Sequence, residues 1–262
     1  MDTREIVGLV PAGGQATRIA PLPCSKELYP IGFRAADAGH GLQTKVVSHY
    51  LLEKMRLAGI AKAYIVLRPG KWDIPAYFGD GVFLQMHLAY LMMRSPLGVP
   101  YTLDQAYPFV EDAMVAFGFP DILFRPDDAF IQLLSRQRTN DADVLLGLFP
   151  TDLPEYEDLV DVDEEGRVRE IVIKPPRTSL CYTWGIAVWT PVFTKFLHEY
   201  VSARQDPSPG SRELTAGDVL QAAIENHLRV DAVPVSKDPY LDIGTPERLF
   251  KAVKDFAIGQ DD

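Results

Sequence analysis

The sequence predicts an α/β fold, a mostly parallel sheet with helices on both faces. Three observations carry this. Short apolar runs that suit buried strands alternate with stretches of helical period through the first 150 residues. Several helical stretches carry recognisable start or stop signals. Beyond residue 150 the alternation yields to a hairpin pattern, which predicts a small antiparallel subregion. No repeat or low-complexity linker interrupts the chain, so residues 1–262 read as one domain.

The elements follow in order. Glu5–Val10 is an apolar run that reads as a buried strand, and a Gly/Pro-rich loop runs from Pro11 to about Ser25. Thr44 is positioned to cap a helix ending at Ala58, with Val47, Leu51, Met55 and Ala58 on one face and Gly59 as its stop. Strands are expected at Ala63–Leu67, Met86–Met92, Met114–Phe119 and Val144–Phe149, with helices at Leu103–Glu111 and Asp127–Arg138. Leu159–Val162 and Val168–Ile173 flank Asp163-Glu164-Glu165-Gly166-Arg167, the hairpin turn. Strand Tyr182–Trp189, helix Pro191–Ala203, an exposed loop over 205–211, helix Thr215–Asn226 and strand Leu228–Val235 come next. Thr245-Pro246-Glu247 opens the last helix with a cap, a first-turn proline and an acid suited to the helix dipole.

Composition narrows the function. Lys plus Arg is 26 and Asp plus Glu is 36, a formal charge of −10, which argues against coating nucleic acid. No apolar run reaches the roughly 18 residues of a membrane span. The first residues lack the basic and apolar segments of a signal peptide. Cys24 and Cys181 form no CxxC, and His40, His49, His87, His198 and His227 show no metal-ligand spacing. The expectation is a cytoplasmic protein with no membrane or nucleic-acid partner and no His/Cys metal site.

The strongest local signal is Val10-Pro11-Ala12-Gly13-Gly14-Gln15-Ala16-Thr17-Arg18, followed by Pro23-Cys24-Ser25-Lys26. Small residues after a strand let backbone N–H groups approach phosphate oxygens. Arg18 can grip a phosphate through two N–H groups, and Lys26 adds a point charge. Together they describe a triphosphate cradle. It is neither a GxxxxGK[ST] loop nor a GxGxxG loop, which disfavours a nicotinamide site.

Gly8 to Arg18, with Ser25-Lys26-Glu27-Leu28-Tyr29-Pro30-Ile31, resembles the signature of the sugar-phosphate nucleotidyltransferases. In their glucose-1-phosphate thymidylyltransferase branch the pattern is GxGTR, then SKxLxPI. Ala16 stands where that pattern has its second glycine. The resemblance implies a Rossmann-like sheet of GT-A type, with a nucleotide-binding half over about 1–150 and an acceptor-binding half over about 151–262. It implies Ala12, Gly13, Gly14, Thr17 and Gly98 as the nucleotide bed, with Arg18 and Lys26 holding the triphosphate.

Asp121 closes a strand at the sheet edge where α/β proteins bind ligands. It matches the family's first metal-binding acid, displaced by Phe119-Pro120. Tyr240-Leu241-Asp242-Ile243-Gly244-Thr245 resembles the family's W-x-D-x-G-T segment, which makes Asp242 the second ligand. The cofactor expected is Mg²⁺, a hard cation usually held by one or two carboxylates plus substrate phosphates. Asp127 and Asp128 suit a helix N-terminus better.

Val172-Ile173-Lys174-Pro175 resembles the family's EKP segment. Lys174 would meet the sugar-1-phosphate. Ile173 stands where a Glu binds sugar hydroxyls, so the acceptor is expected to be unusual, deoxygenated or not a sugar. Trp184 and Gly185 fall in the strand beside the sugar. Ser95-Pro96-Leu97-Gly98 matches the base-reading loop, with Met93 in place of its glutamine.

The expected activity joins a nucleoside triphosphate and a sugar-1-phosphate into an NDP-sugar, releasing pyrophosphate. A cyclitol or choline phosphate acceptor, motivated by Ile173, is one alternative. A non-catalytic nucleotide-sugar sensor, motivated by Ala16, Met93 and Ile173, is another, and an oxidoreductase is a distant third. The family is often multimeric, which leaves a homo-oligomer open. About 20 residues follow Asp242, so a long C-terminal extension is not expected.

Overall fold

A computed structural model describes residues 4–35, 41–93, 97–204 and 212–256. The expected loop over 205–211, together with His40, Ser95 and Pro96, lies outside them. Thirteen strands are present among the described residues: β1 (Ile6–Ala12), β2 (Pro30–Ala35), β3 (Leu42–Val46), β4 (Lys62–Leu67), β5 (His87–Met92), β6 (Met114–Gly118), β7 (Ile122–Leu123), β8 (Val144–Pro150), β9 (Asp158–Val162), β10 (Val168–Ile173), β11 (Tyr182–Trp189), β12 (Val230–Pro234) and β13 (Leu241–Asp242). Eight α-helices join them: α1 (Val47–Leu57), α2 (Asp73–Phe78), α3 (Val99–Asp104), α4 (Tyr107–Val110), α5 (Ala129–Gln137), α6 (Pro191–Ser202), α7 (Ala216–Glu225) and α8 (Pro246–Phe256).

A parallel core runs β5-β4-β1-β6. β11 pairs antiparallel with β6 and, beyond its end, with β9 along one edge, and with β8 along the other; the β9–β10 hairpin and parallel β12, on β8, complete the sheet. The core strands alternate. Val10 and Ala12 of β1 pack with Leu51, Met55, Phe130 and Leu133 of α1 and α5. Val7 and Leu9 pack with Leu103, Val110, Phe193, Leu197 and Val219 on the opposite face. Side chains of successive strand residues point to opposite faces, so one apolar run feeds two helix layers.

The caps and turns behave as their chemistry requires. Thr215 and Asp218 form a reciprocal capping box on α7. In the β9–β10 turn, Asp163 Oδ1 accepts the N–H groups of Glu165 and Arg167, and Gly166 takes the left-handed conformation at φ +87°.

Two expectations change. Thr44 does not cap a helix. It lies in β3, paired with Phe33 of β2, and α1 begins only at Val47. The single helix expected over 103–111 is two, α3 and α4, because Pro108 has no N–H to donate to the Asp104 carbonyl and so sits in the first turn of a new helix.

β7 and β13 form a separate two-stranded antiparallel ladder, pairing Ile122 with Asp242 and Leu123 with Leu241. A small apolar cluster anchors it, with Leu123 and Ile243 packed against Ile31, Val47 and Ala252.

Candidate active site

The ladder between β7 and β13 brings distant acids together. Ile243 N–H donates to the Asp121 carbonyl at 3.0 Å, so Asp121 and Asp242 flank one stretch of paired backbone. Lys26 Nζ forms an ion pair with Asp121, and Arg18 NH2 stands 3.8 Å from Asp242 Oδ2. Gly244 N–H donates to Asp242 Oδ1 at 2.7 Å and fixes the carboxylate. A Cβ on Gly244 would fall 2.7 Å from Arg18 NH2 and 2.8 Å from Asp242 Oδ1, so only glycine leaves room for this approach.

The electrostatics follow from burial and charge. Burial, then the charge of Asp121, pushes the Asp242 carboxyl above its ordinary value, and Lys26, Gly244 and Arg18 offset only part. Burial alone would lower the Lys26 ammonium, but Asp121, with Asp242 and Glu27 behind it, holds it above its usual range. A carboxylate destabilised by the charge of a second one beside it fits a divalent cation, which relieves the repulsion. Among the described residues no group of three or more His, Cys, Asp or Glu is gathered for a metal. A cation held by Asp121 and Asp242 would therefore complete its shell with phosphate and water oxygens.

Two adjoining cavities meet at this point. One, of about 530 Å³, is lined by Gly13, Gly14, Thr17, Arg18, Lys26 and Asp121 on one side and by Gly98, Thr102 and Glu213 on the other. The second, of about 700 Å³, includes Lys174, Trp184, Asp158, Tyr240, Asp242 and Arg248 in its wall. Arg18, Val99, Phe119 and Glu213 belong to both. Arg18 thus stands at the junction, its side chain 64% exposed and free to reach a ligand.

Local backbone explains how the loop does this. Ala16 sits at φ +55°, the left-handed region that favours glycine. Gly98 adopts φ +120° and bridges to Leu214; a Cβ there would sit 2.4 Å from the Leu214 carbonyl. Lys174 is also left-handed, at φ +42°, as the chain turns out of β10.

The remaining expected residues are less exposed to the cavities. Ala12 is buried in the core at the end of β1, beneath the glycine bed. Gly185 lies behind the second cavity, where a Cβ would meet Ile122 and Tyr240. Trp184 is 6% exposed and packs on Phe117 and Phe119, so only its edge reaches the cavity. Met93 is buried under Gly13, with Thr102 Oγ1 3.6 Å from its sulfur. Ile173 turns into the apolar layer with α7, its Cδ1 2.6 Å from where a Gly217 Cβ would be. Asp127 pairs with Lys54, and Asp128 holds Gln132 at the start of α5, so neither approaches the site.

Several contributors escape sequence reasoning. Lys71 reaches Glu27 at 2.5 Å, both at or below 4% exposure, and Asp73 accepts the Ser25 N–H and hydroxyl. These two contacts fix Ser25 and Glu27, the neighbours of Lys26 in the chain. Burial pushes the Glu27 carboxyl up and the Lys71 amine down, so each depends on the other to stay charged. Glu157 and Arg248 pair at 3.0 Å in the second cavity. Acids and lysines in surface-like sequence give no sign of such depth.

A family model described as nucleotidyl transferase matches residues 7–258. The chain belongs to the nucleotidyl transferase family. It is 25% identical to the low-salt glycan biosynthesis nucleotidyltransferase Agl11 of Haloferax volcanii over 94% of its length and 64% of that protein's. It is 31% identical to a mannose-1-phosphate guanylyltransferase of Mycobacterium tuberculosis over 99% of its length and 67% of that protein's. The chain thus spans about two thirds of the length of these relatives. A solved UDP-glucose pyrophosphorylase complexed with UDP-glucose shares the fold, with a TM-score of 0.75, 18% identity, and 96% and 98% of the two chains covered. Among the described residues no helix is long and apolar enough to cross a membrane.

Proposed function

We propose that this chain joins a nucleoside triphosphate and a sugar-1-phosphate into a nucleoside-diphosphate sugar, with release of pyrophosphate. The observation that carries the reading is the meeting of Asp121, Asp242, Lys26 and Arg18 at the mouth shared by two cavities. The first cavity, mostly from residues before 150, takes the triphosphate on Gly13, Gly14, Thr17 and Gly98. The second, with most of its wall from residues after 151, takes the acceptor beside Lys174, Trp184 and Asp242. Gly185 contributes by leaving room for Ile122, beside Tyr240 of the cavity wall.

An oxygen of the acceptor phosphate attacks the α-phosphorus, and the bond to the β-phosphate oxygen breaks. The nucleophile is already anionic near neutral pH, so no general base is required. Asp121 and Asp242 would hold Mg²⁺, which when bound neutralises phosphate charge. Lys26 and Arg18 polarise the triphosphate, and Lys174 aligns the attacking phosphate. Catalysis is then positioning and charge stabilisation. The two unpaired cysteines suit a reducing compartment, and we assign the protein to the cytoplasm.

The test is a matrix of nucleoside triphosphates against sugar-1-phosphates with Mg²⁺, read by pyrophosphate release. Release that needs one triphosphate, one acceptor and the metal together is expected. No release from any pair would overturn the reading.

A further inference from the structure

Asp158, at the start of β9, has no part in the mechanism above, yet it lines the second cavity with Lys174. Its surroundings are specific. β9 and β10 pair it directly with Ile173, whose side chain turns into the apolar layer, so Asp158 is the polar member of that pair. Its backbone carbonyl accepts the Thr183 hydroxyl at 2.9 Å, which fixes the residue against β11. Gly217 in the first turn of α7 makes space for the carboxylate, since a Cβ there would sit 2.6 Å from Asp158 Oδ2. Its Oδ1 is buried and accepts no hydrogen bond from the protein. Buried carboxylate oxygens are rarely left so, because the lost solvation is uncompensated. A ligand in the cavity would compensate it.

The geometry points to Asp158 as the residue that recognises a hydroxyl of the acceptor, its free oxygen accepting that O–H while Lys174 meets the phosphate. This rests on the transfer reaction proposed above and deepens it. It also revises the expectation drawn from Ile173, because the carboxylate is supplied from the neighbouring strand and the acceptor is polyhydroxylated. Asp158 is a specificity residue; it touches no reacting atom.

The experiment compares wild type with Asp158→Asn and Asp158→Ala on glucose, mannose and galactose 1-phosphates, then on the monodeoxy forms of the one used best. Loss of a hydrogen bond to a charged group should raise the acceptor KM about 10- to 100-fold. The triphosphate KM and kcat should stay within about twofold, which also shows that the variants fold. For one deoxy acceptor, wild type and variants should converge on the same KM. Wild-type turnover with an acceptor KM unchanged in both variants overturns the role of Asp158 alone. So does a variant that lowers kcat equally with every acceptor, the mark of a structural role. Absence of pyrophosphate release from wild type overturns the transfer reaction and this inference together.

Discussion

Replacing Asp158 by Asn should make the protein more stable, and more so as pH rises. Burial pushes the Asp158 carboxyl from its ordinary 3.8 to about 6. Lys174 and Arg212 pull it down, and Asp218 and Glu157 push it up further, yet burial prevails. A folded-state value above the unfolded one means that the native protein binds the proton more tightly. The group therefore favours folding most at low pH, and that advantage is lost as pH rises through about 6. A gap of about two pH units is worth about 3 kcal/mol in full. Asn has no such charge to bury. Relative to wild type, it should gain about half of that amount at pH 5 and nearly all of it at pH 7 and above. Urea unfolding at pH 5, 7 and 8 measures the difference, with the slope in denaturant checked for constancy. A variant less stable than wild type at pH 8, or a difference that does not change with pH, would refute the argument.

Three further outcomes are expected. Asp242→Asn and Lys26→Ala should each lower turnover on the order of 10²-fold or more in the pyrophosphate assay, with the fold retained by circular dichroism. Lys71→Met leaves the Glu27 carboxyl without its partner in a buried site, so it should cost about 3–5 kcal/mol in urea unfolding, and adding Glu27→Leu should recover much of it. Ala16→Gly relieves a left-handed alanine and should raise stability by about 1 kcal/mol, or about 2–4 °C in Tm by calorimetry.

The parts of the fold legible in the sequence are those with a strong local cause. β1, β4, β6 and β8 are apolar runs that two helix layers must cover, and their period survives in any context. Thr215 and Asp218 announce α7 through the chemistry of its first turn. The hairpin of β2 and β3 was missed because Leu42-Gln43-Thr44-Lys45 is largely exposed and polar, with Phe33 on its partner also turned to solvent. β7 and β13, two residues each, are too short to show a period at all. In the site, the glycine loop, Arg18 and Lys26 stand out by residue type and order, and the two acids through the segments that resemble the family's. Their convergence does not, since it depends on a ladder between segments far apart in the chain. Asp158 escaped for a related reason. In Pro154-Glu155-Tyr156-Glu157-Asp158 it looks like one of several surface acids, and only β10 and α7 decide that it is held against the cavity.

The short clasp of β7 and β13 has a consequence for how this site can change. The interval between the acids is set by main-chain pairing at two positions, so side-chain substitutions elsewhere leave it untouched. A single-residue insertion or deletion between Ile122 and Phe124, or between Leu241 and Gly244, shifts the pairing and swings a carboxylate to the far face of the ladder. Those few peptide units tolerate little change of length, and variation in ligand preference falls to the surrounding walls instead.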